Sequence, residues 1–371
     1  MVILSTANFK RIVISSHIPN KKLKVALTYN VKPEENNFSE TKSLSLQSNS
    51  PNSINDTYAE WDTIETVTAI RNALAQFHDV TMIEANEEAF EKFRAAEPEI
   101  VFNVAEGASG INREAQIPAM LEMLKIPYTG SDPLTLATCL DKSRTKEILS
   151  YHCIPTSKFL LVESIGDLRN FSLRFPVIIK PVAEGSSKGI FNSSFISRAD
   201  ELAERISANL NSYDQPILVE EFLPGREFTV ALIGNGDETE VLPVIEINFG
   251  ELPNDLVPIY SYEAKWIADT REKPLNIFTC PAKIDDGLRN KIAQAALKAF
   301  KALRCRDWSR IDIRLDRNGE PNIIEINPLP GILPDPLDNS CFPKAARAAG
   351  LNYGEMLNKV LLIAAKRYNL I

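Results

Sequence analysis

The chain has 371 residues, of which 44% are hydrophobic and 24% charged, and it carries a formal net charge of −8. That length buries a large core and divides into two or three domains. The acidic balance, with no basic stretch to offset it, excludes a general nucleic-acid binder. No apolar run approaches the roughly 18 residues of a membrane span. The stretch from Met1 to Lys22 contains a short apolar piece, Arg11-Ile12-Val13-Ile14, but no signal-peptide core or small-residue cleavage site. A cytoplasmic protein with no membrane partner is therefore expected.

In chain order, Lys24–Tyr29 reads as a first strand. Residues 33–56 are rich in Ser, Asn and Glu and poor in apolar residues, which predicts a long loop or a disordered insertion. A helix is expected from Thr63 to Phe77, with Val67, Ile70, Leu74 and Phe77 on its apolar face. Strands at Val80–Ile83 and Ile100–Asn103 flank a helix over Glu87–Ala96, a βαβ rhythm that implies a small open parallel sheet. The middle segment predicts a helix Lys142–Tyr151, a strand Lys158–Val162, a helix Ile165–Arg174 and a strand Val177–Lys180. A Gly-Ser loop, a helix Ala199–Leu210 and a strand Ile217–Glu220 follow. The last third is rich in strands, with helices over Gly287–Leu303, Phe342–Ala349 and Gly354–Tyr368. The domain limits expected are 1–130 (with an insertion near 33–56), 131–219 and 220–371.

The chemistry concentrates near the end of the chain. Arg310-Ile311-Asp312-Ile313-Arg314 and Asn322-Ile323-Ile324-Glu325-Ile326-Asn327 alternate as strands, and Asp316-Arg317-Asn318-Gly319 suits a hairpin between them. Residues two apart share a face, so Arg310 goes with Asp312 and Glu325 with Asn327. Folding the hairpin can gather three hard oxygen donors beside a guanidinium, a set suited to Mg²⁺ on a polyphosphate. One such strand alone is more often an ordinary half-solvated strand. Two adjacent strands carrying only ligand-type polar residues shift the balance.

Three further segments carry weaker signals. Lys180-Pro181-Val182-Ala183-Glu184-Gly185-Ser186-Ser187-Lys188-Gly189 ends an apolar strand in a lysine and follows it with a loop able to form an anion nest. It is neither a Walker A loop nor a dinucleotide fingerprint, but a lysine at that position is costly to bury without an anion. Glu220-Glu221-Phe222-Leu223 through Glu227 can offer backbone to a base and a carboxylate to a ribose, although a plain hairpin with solvated acids has the same composition. Tyr260 to Trp266 reads equally as a lysine-bearing lid and as a surface loop anchored by aromatics. The scattered cysteines (Cys139, Cys153, Cys280, Cys305, Cys341) form no C-x-x-C pair. The histidines (His17, His78, His152) stand near no nucleophile, which demotes zinc and histidine-based hydrolysis.

Taken in order, these pieces resemble the D-alanine–D-alanine ligase branch of the ATP-grasp superfamily. The matching stretches are the Phe102-Asn103 strand end before Glu106-Gly107, Ile126 to Ser131, Asp141-Lys142 and Lys180 to Gly189. Glu220 to Glu227, Tyr262 to Lys265, Cys280-Pro281-Ala282 and Arg310 to Gly331 complete the series. The resemblance implies an α/β ATP-grasp fold of three domains: an N-terminal open α/β sheet and two α+β subdomains with ATP between them. It implies ATP and one or two Mg²⁺ ions, with Mn²⁺ an alternative, small amino-acid substrates and a homodimer. The implied reaction phosphorylates one amino acid's carboxylate, and a second amino acid's amine then displaces the phosphate. Lys142, Lys180, Ser186 and Ser187 would meet the phosphates. Glu220, Glu221 and Leu223 would form the adenine edge, and Glu227 would hold the ribose. Lys265 would reach the γ-phosphate, and Asp312, Glu325 and Asn327 would hold metal. Arg310 and the Gly331 N–H would stabilise the tetrahedral intermediate. This is catalysis by positioning and electrostatics.

Both amino-acid pockets depart from the family pattern. Instead of a glycine-glycine-x-serine-x-glutamate run after the first strand, the chain reads Tyr29-Asn30-Val31-Lys32-Pro33-Glu34-Glu35. Glu106 replaces the usual histidine before a glycine. Ile332 to Cys341 replaces a short serine-leucine loop, leaving Ser340 as counterpart for the acceptor carboxylate with Asp335 and Asp338 nearby. D-Alanyl-D-alanine is the favoured product. Ligation of other amino acids, or of an amino acid to a specialised metabolite, is the alternative, and a non-catalytic ATP binder stands third. Glu106 is expected to face the substrate amine or the lid.

Overall fold

A computed structural model describes residues 21–33, 58, 60–270 and 273–371. The insertion expected near 33–56, with Glu34 and Glu35, therefore lies almost wholly outside the described residues. Three sheets organise the rest. β1 (Lys24–Tyr29) is the middle strand of a parallel sheet between β2 (Asp79–Glu84) and β3 (Ile100–Asn103). Helices α1 (Ile64–Leu74) and α2 (Ala89–Ala96) make the crossovers, as a βαβ pattern requires. Thr63 caps α1 by accepting from the Thr66 N–H, so this helix starts one residue later than expected and ends three earlier. Two helices went unanticipated, α3 (Gln116–Leu124) and α4 (Pro133–Leu140). The second begins where Asp132 accepts from the Thr135 N–H and proline takes the first turn.

α5 (Lys142–Tyr151) then leads into a four-stranded antiparallel sheet. Its strands are β4 (Phe159–Val162), β5 (Val177–Pro181), β6 (Phe195–Ile196) and β7 (Ile217–Glu221), in the order β4-β7-β5-β6. α6 (Ala199–Tyr213) packs Leu202 and Ile206 onto it, giving this sheet its own core with Val177, Ile179, Ile217 and Val219. The boundary expected at 219/220 falls inside β7. The helix expected over Ile165–Arg174 is only a 3₁₀ turn, Ile165–Asn170. Phe171 leaves the turn in extended backbone, and Phe171, Leu173 and Phe175 join the sheet's core from the segment that follows.

The third sheet runs β11-β10-β8-β12-β13, with β9 also pairing β8. Its strands are β8 (Glu227–Ile233), β9 (Glu240–Val241), β10 (Ile245–Ile247), β11 (Phe278–Thr279), β12 (Trp308–Leu315) and β13 (Pro321–Asn327). α7 (Asp286–Ala302) covers one face through Ile292, Ala296, Ala299 and Phe300. α8 (Cys341–Ala348) and α9 (Tyr353–Arg367) close the chain. The N-terminal sheet shares its core with this last part. Trp308 is fully buried and meets Phe102 edge-on at 5.6 Å and Phe342 at 5.4 Å, in one cluster with Leu27, Ile70, Leu357 and Leu361. This common core fixes the N-terminal sheet against the hairpin that carries the polar residues.

Candidate active site

The β12–β13 hairpin forms in the register its sequence suggests. Asp312 stands opposite Glu325 and Arg310 opposite Asn327. Directly opposed residues of an antiparallel pair point to one face, so all four share a side and line one cleft of about 670 Å³. A bulge follows Asp312, with Ile313 pairing Ile323 and Ile324 left over. Such a bulge bends the strand and re-aims its side chains. Arg310 grips Asp312 through Nε at 3.2 Å and Nη2 at 3.0 Å, and the Asn327 amide donates to Asp312 at 3.3 Å.

Three lysines bring positive charge to this acidic face. Lys142 enters from the first turn of α5, with Nζ 2.8 Å from Glu325 Oε1 and also bonded to the Glu184 carbonyl. Burial pushes Glu325 up, but Lys142 and Lys180 outweigh it and hold this carboxyl down at about 2. Lys180, at the end of β5, lies 3.0 Å from Glu220 Oε1. Lys265 rides a π-helical turn, Glu263–Ala268. Burial and the neighbouring Arg310 lower its ammonium to about 8, as expected for a cation awaiting an anion. Two carboxylates and an amide oxygen side by side, both acids fixed by cations, suit a hard divalent ion. Among the described residues no cluster of three His, Cys, Asp or Glu side chains competes for that role.

Two loops meet over the cleft. Ser186 and Ser187 adopt left-handed backbone, φ 51° and 63°, a local conformation of the kind from which anion nests are built. Trp266 Nε1 donates to the Ser186 carbonyl at 3.0 Å, Ser187 Oγ donates to the Tyr260 carbonyl at 2.8 Å, and the Tyr262 N–H donates to the Ile190 carbonyl at 2.7 Å. The aromatic segment is thus a lid seated on the glycine-serine loop.

Every residue given a site role from the sequence lines this cleft, Glu106 and Ser340 included, whereas Asp335 does not. Several side chains, however, are committed elsewhere. The Glu220 carboxylate is shared among Lys180, Lys146 at 3.3 Å and the Ser157 hydroxyl at 2.9 Å, and Glu221 accepts from Arg174. At 220–223 the main chain and the Leu223 side chain, rather than these carboxylates, are therefore what the cleft can offer to a ligand. Glu227 pairs with Arg314 at 3.0 Å, and burial nevertheless raises its carboxyl to about 7. The Ser340 hydroxyl accepts from the Leu333 N–H and donates to the Gly331 carbonyl, both at 3.1 Å, so it staples the altered loop.

The sequence reading missed the opposite wall. Lys32, Glu60, Asp62 and Glu114 line the cleft with Glu106. Glu106 lies in the loop after β3, outside any helix N-terminus. Burial, then Glu114 and Glu60, raise its carboxyl well above the usual range; burial and Glu60 raise Glu114 to about 8, and burial raises Asp62 to about 6. Lys32 Nζ sits 4.7 Å over the Trp266 ring, joining this wall to the lid. No local motif announces these residues. Lys146 could have been found, because it stands one helical turn after Lys142 and so shares its face.

A cleft between two antiparallel sheets, lined by lysines on one side and a carboxylate–amide–guanidinium hairpin on the other, defines an ATP-grasp nucleotide site. The family model described as the D-ala D-ala ligase C-terminus matches residues 152–362. The D-alanine–D-alanine ligase of Pelotomaculum thermopropionicum is 31% identical over 312 residues, 81% of this chain and 91% of that protein. An uncharacterized protein of Sinorhizobium fredii, y4sG, is 38% identical over 269 residues, 72% of this chain and 75% of its own length. Among solved structures, the Bacillus anthracis D-alanine–D-alanine ligase complexed with ATP superposes with a TM-score of 0.66 at 20% identity, covering 94% of this chain and 99% of that one. The chain belongs to the D-alanine–D-alanine ligase family and is an ATP-dependent, ADP-forming ligase with the ATP-grasp fold. No helix among the described residues is long and apolar enough to cross a membrane.

Proposed function

We propose that this enzyme joins two amino acids through an acyl phosphate, with D-alanyl-D-alanine the favoured product. The observation that carries the reading is the single face shared by Arg310, Asp312, Glu325 and Asn327, opposite Lys142, Lys180 and Lys265. Lys142 and Lys180 neutralise the α- and β-phosphates as they settle under the Ser186–Ser187 nest. Lys265 reaches the γ-phosphate from the lid. Asp312, Glu325 and Asn327 would hold Mg²⁺, which would supply charge neutralisation for phosphoryl transfer. The donor carboxylate takes the γ-phosphoryl group from ATP and ADP is the leaving group; the acceptor amine then attacks the acyl carbon, loses a proton, and expels phosphate as the amide forms. Arg310 and the Gly331 N–H face the oxyanion of that second step. A soluble cytoplasmic setting and a homodimer complete the reading by family analogy.

A second reading, ligation of a different amino acid or of a specialised metabolite, is favoured by one feature. Glu106, Glu114 and Asp62 crowd this side of the cleft with carboxyl groups that burial holds toward their protonated forms, where the family pattern has a histidine. A substrate panel read by phosphate release and by mass of the product separates the two. Turnover with D-alanine establishes the first reading. Silence with D-alanine and turnover with another donor or acceptor establishes the second, whereas ATP binding with no turnover on any substrate would leave a nucleotide binder.

A further inference from the structure

Arg113 stands outside every role assigned above, yet few side chains of the molecule are as heavily bonded. It opens a 3₁₀ turn, Arg113–Ala115, and is 8% exposed. Its Nε and Nη2 hold both oxygens of Glu60, at 3.1 Å and at 2.6 and 2.8 Å. Its Nη1 donates to the Ala183 carbonyl at 2.8 Å, and Nη2 also reaches Glu184 Oε2 at 3.3 Å. The planar fork of a guanidinium can meet a carboxylate and a carbonyl together; a lysine cannot. Glu60 belongs to the segment leading into α1, while Ala183 and Glu184 belong to the glycine-serine loop. Arg113 therefore ties the N-terminal part of the chain to the loop that would cover ATP.

Glu60 extends the same tie. Its Oε1 accepts from the Gly185 N–H at 2.5 Å, inside the stretch whose N–H groups form the nest. A Cβ on Gly185 would stand 2.7 Å from that oxygen, so glycine is what permits the approach. The Glu184 carbonyl is held by Lys142, and the Glu184 side chain by Lys188 at 3.0 Å and Gln215 at 2.8 Å. Ala183, Glu184 and Gly185 are thus fixed on one side by the nucleotide-binding elements and on the other by Arg113 and Glu60. Glu60 and Glu184 also line a second cavity of about 660 Å³, to which Arg113 belongs, so the ion pair forms a partition beside the catalytic cleft.

We propose that Arg113, acting with Glu60, is a positioning residue that sets the glycine-serine loop in its phosphate-binding shape before nucleotide arrives. It touches no phosphate and acts through Ala183, Glu184 and Gly185. An ordered loop binds more tightly than one that must be ordered on binding, so loss of the tie appears as loss of nucleotide affinity. The inference rests on the ATP site proposed above but not on which amino acids are joined.

The test is the dissociation constant of Mg-ADP by calorimetry, with amide hydrogen exchange of residues 183–190 in nucleotide-free protein. Arg113→Met and Glu60→Ala should each weaken binding by about 5-fold or more, the lower range of coupling between distinct sites, and should speed exchange in that loop. The double variant should bind no more weakly than the weaker single one, because both substitutions break one tie. Arg113→Lys, which keeps the charge without the fork, should fall between wild type and Arg113→Met. Gly185→Ala, which displaces Glu60 without removing a charge, should also speed loop exchange. Should Arg113→Met fail to fold, Arg113→Lys and Glu60→Gln carry the same comparison. Folded variants that bind Mg-ADP within 2-fold of wild type, or strictly additive losses in the double variant, overturn the proposal. A failed amino-acid panel would overturn the ligase reading while leaving this measurement intact.

Discussion

Arg310→Met is expected to slow amide formation far more than it slows phosphoryl transfer. Two losses follow from the geometry. The first, on the role proposed for Arg310, is a donor to the oxyanion of the second step; removing one such donor typically costs about 10²–10³ in kcat, roughly 2.7–4 kcal/mol. The second is the two-point grip on Asp312 at 3.2 and 3.0 Å. Hydrogen bonds to a charged group are worth about 1.5–3 kcal/mol, and side chains 24% and 17% exposed place this pair near the lower end. That second loss would weaken metal and nucleotide binding by roughly tenfold. ATP carrying heavy oxygen in the β–γ bridge separates the two. Reversible acyl-phosphate formation scrambles the label into non-bridging positions, and scrambling should persist in the variant while amide formation falls by a further factor of about 100. Arg310→Lys should lie between, retaining charge without the fork. If scrambling and amide formation fall in parallel, Arg310 serves the metal site and the first step alone, and its assignment to acyl transfer is wrong.

On the opposite wall, Glu106→Gln should raise the amino-acid KM while the Mg-ATP dissociation constant stays near wild type; weakened ATP binding would place Glu106 on the nucleotide side. Glu114→Gln tests the protonation of the same wall. The Glu114 carboxyl is raised in the folded state to about 8, so the native protein binds more protons than the unfolded chain between about pH 4.5 and 8. The stability this contributes is fully present below the unfolded pKa and is lost as pH rises through the folded one. The variant, which cannot ionise, should therefore gain midpoint temperature relative to wild type from pH 5 to pH 8.5. Parallel curves across that range would show that Glu114 is not held protonated.

The legibility of this protein in its sequence follows the distance over which each feature is encoded. The hairpin was readable because its geometry is local: alternation over Arg310–Arg314 and Asn322–Asn327, with a turn of four residues between, sets both faces without outside help. Lys142 to Tyr151 was readable for the same reason, with Asp141 accepting from the Ser143 and Arg144 N–H groups to start the helix. α3 and α4 were missed although Asp132-Pro133 is a helix-start signal, because both are short and largely apolar, with few polar residues to mark an outer face. The expected helix after Ile165 stops at Asn170, where Phe171, Leu173 and Phe175 are drawn onto the core of the neighbouring sheet.

The donor wall illustrates the other limit. Arg113 meets Glu60 across 53 positions, and Glu60 meets Gly185 across 125. Neither residue stands in a pattern that composition or spacing can mark, and Glu60 follows directly on the insertion that breaks the family's first motif. What brings them together is the common core around Trp308, which fixes the N-terminal sheet against the hairpin and leaves the loop after β3 facing the phosphate loop. The consequence is a division of labour within one cleft. The nucleotide half is specified by short segments whose polar residues can be read in place. The proposed amino-acid half depends on tertiary contacts among Lys32, Glu60, Asp62, Glu106 and Glu114, where burial above all raises the Asp62, Glu106 and Glu114 carboxyls and neighbouring acids add to the rise at Glu106 and Glu114. An ammonium group entering that wall would favour the ionised carboxylates that burial there opposes. Substrate choice is therefore expected to change with substitutions on the N-terminal wall, and the phosphoryl-transfer step with substitutions on the hairpin.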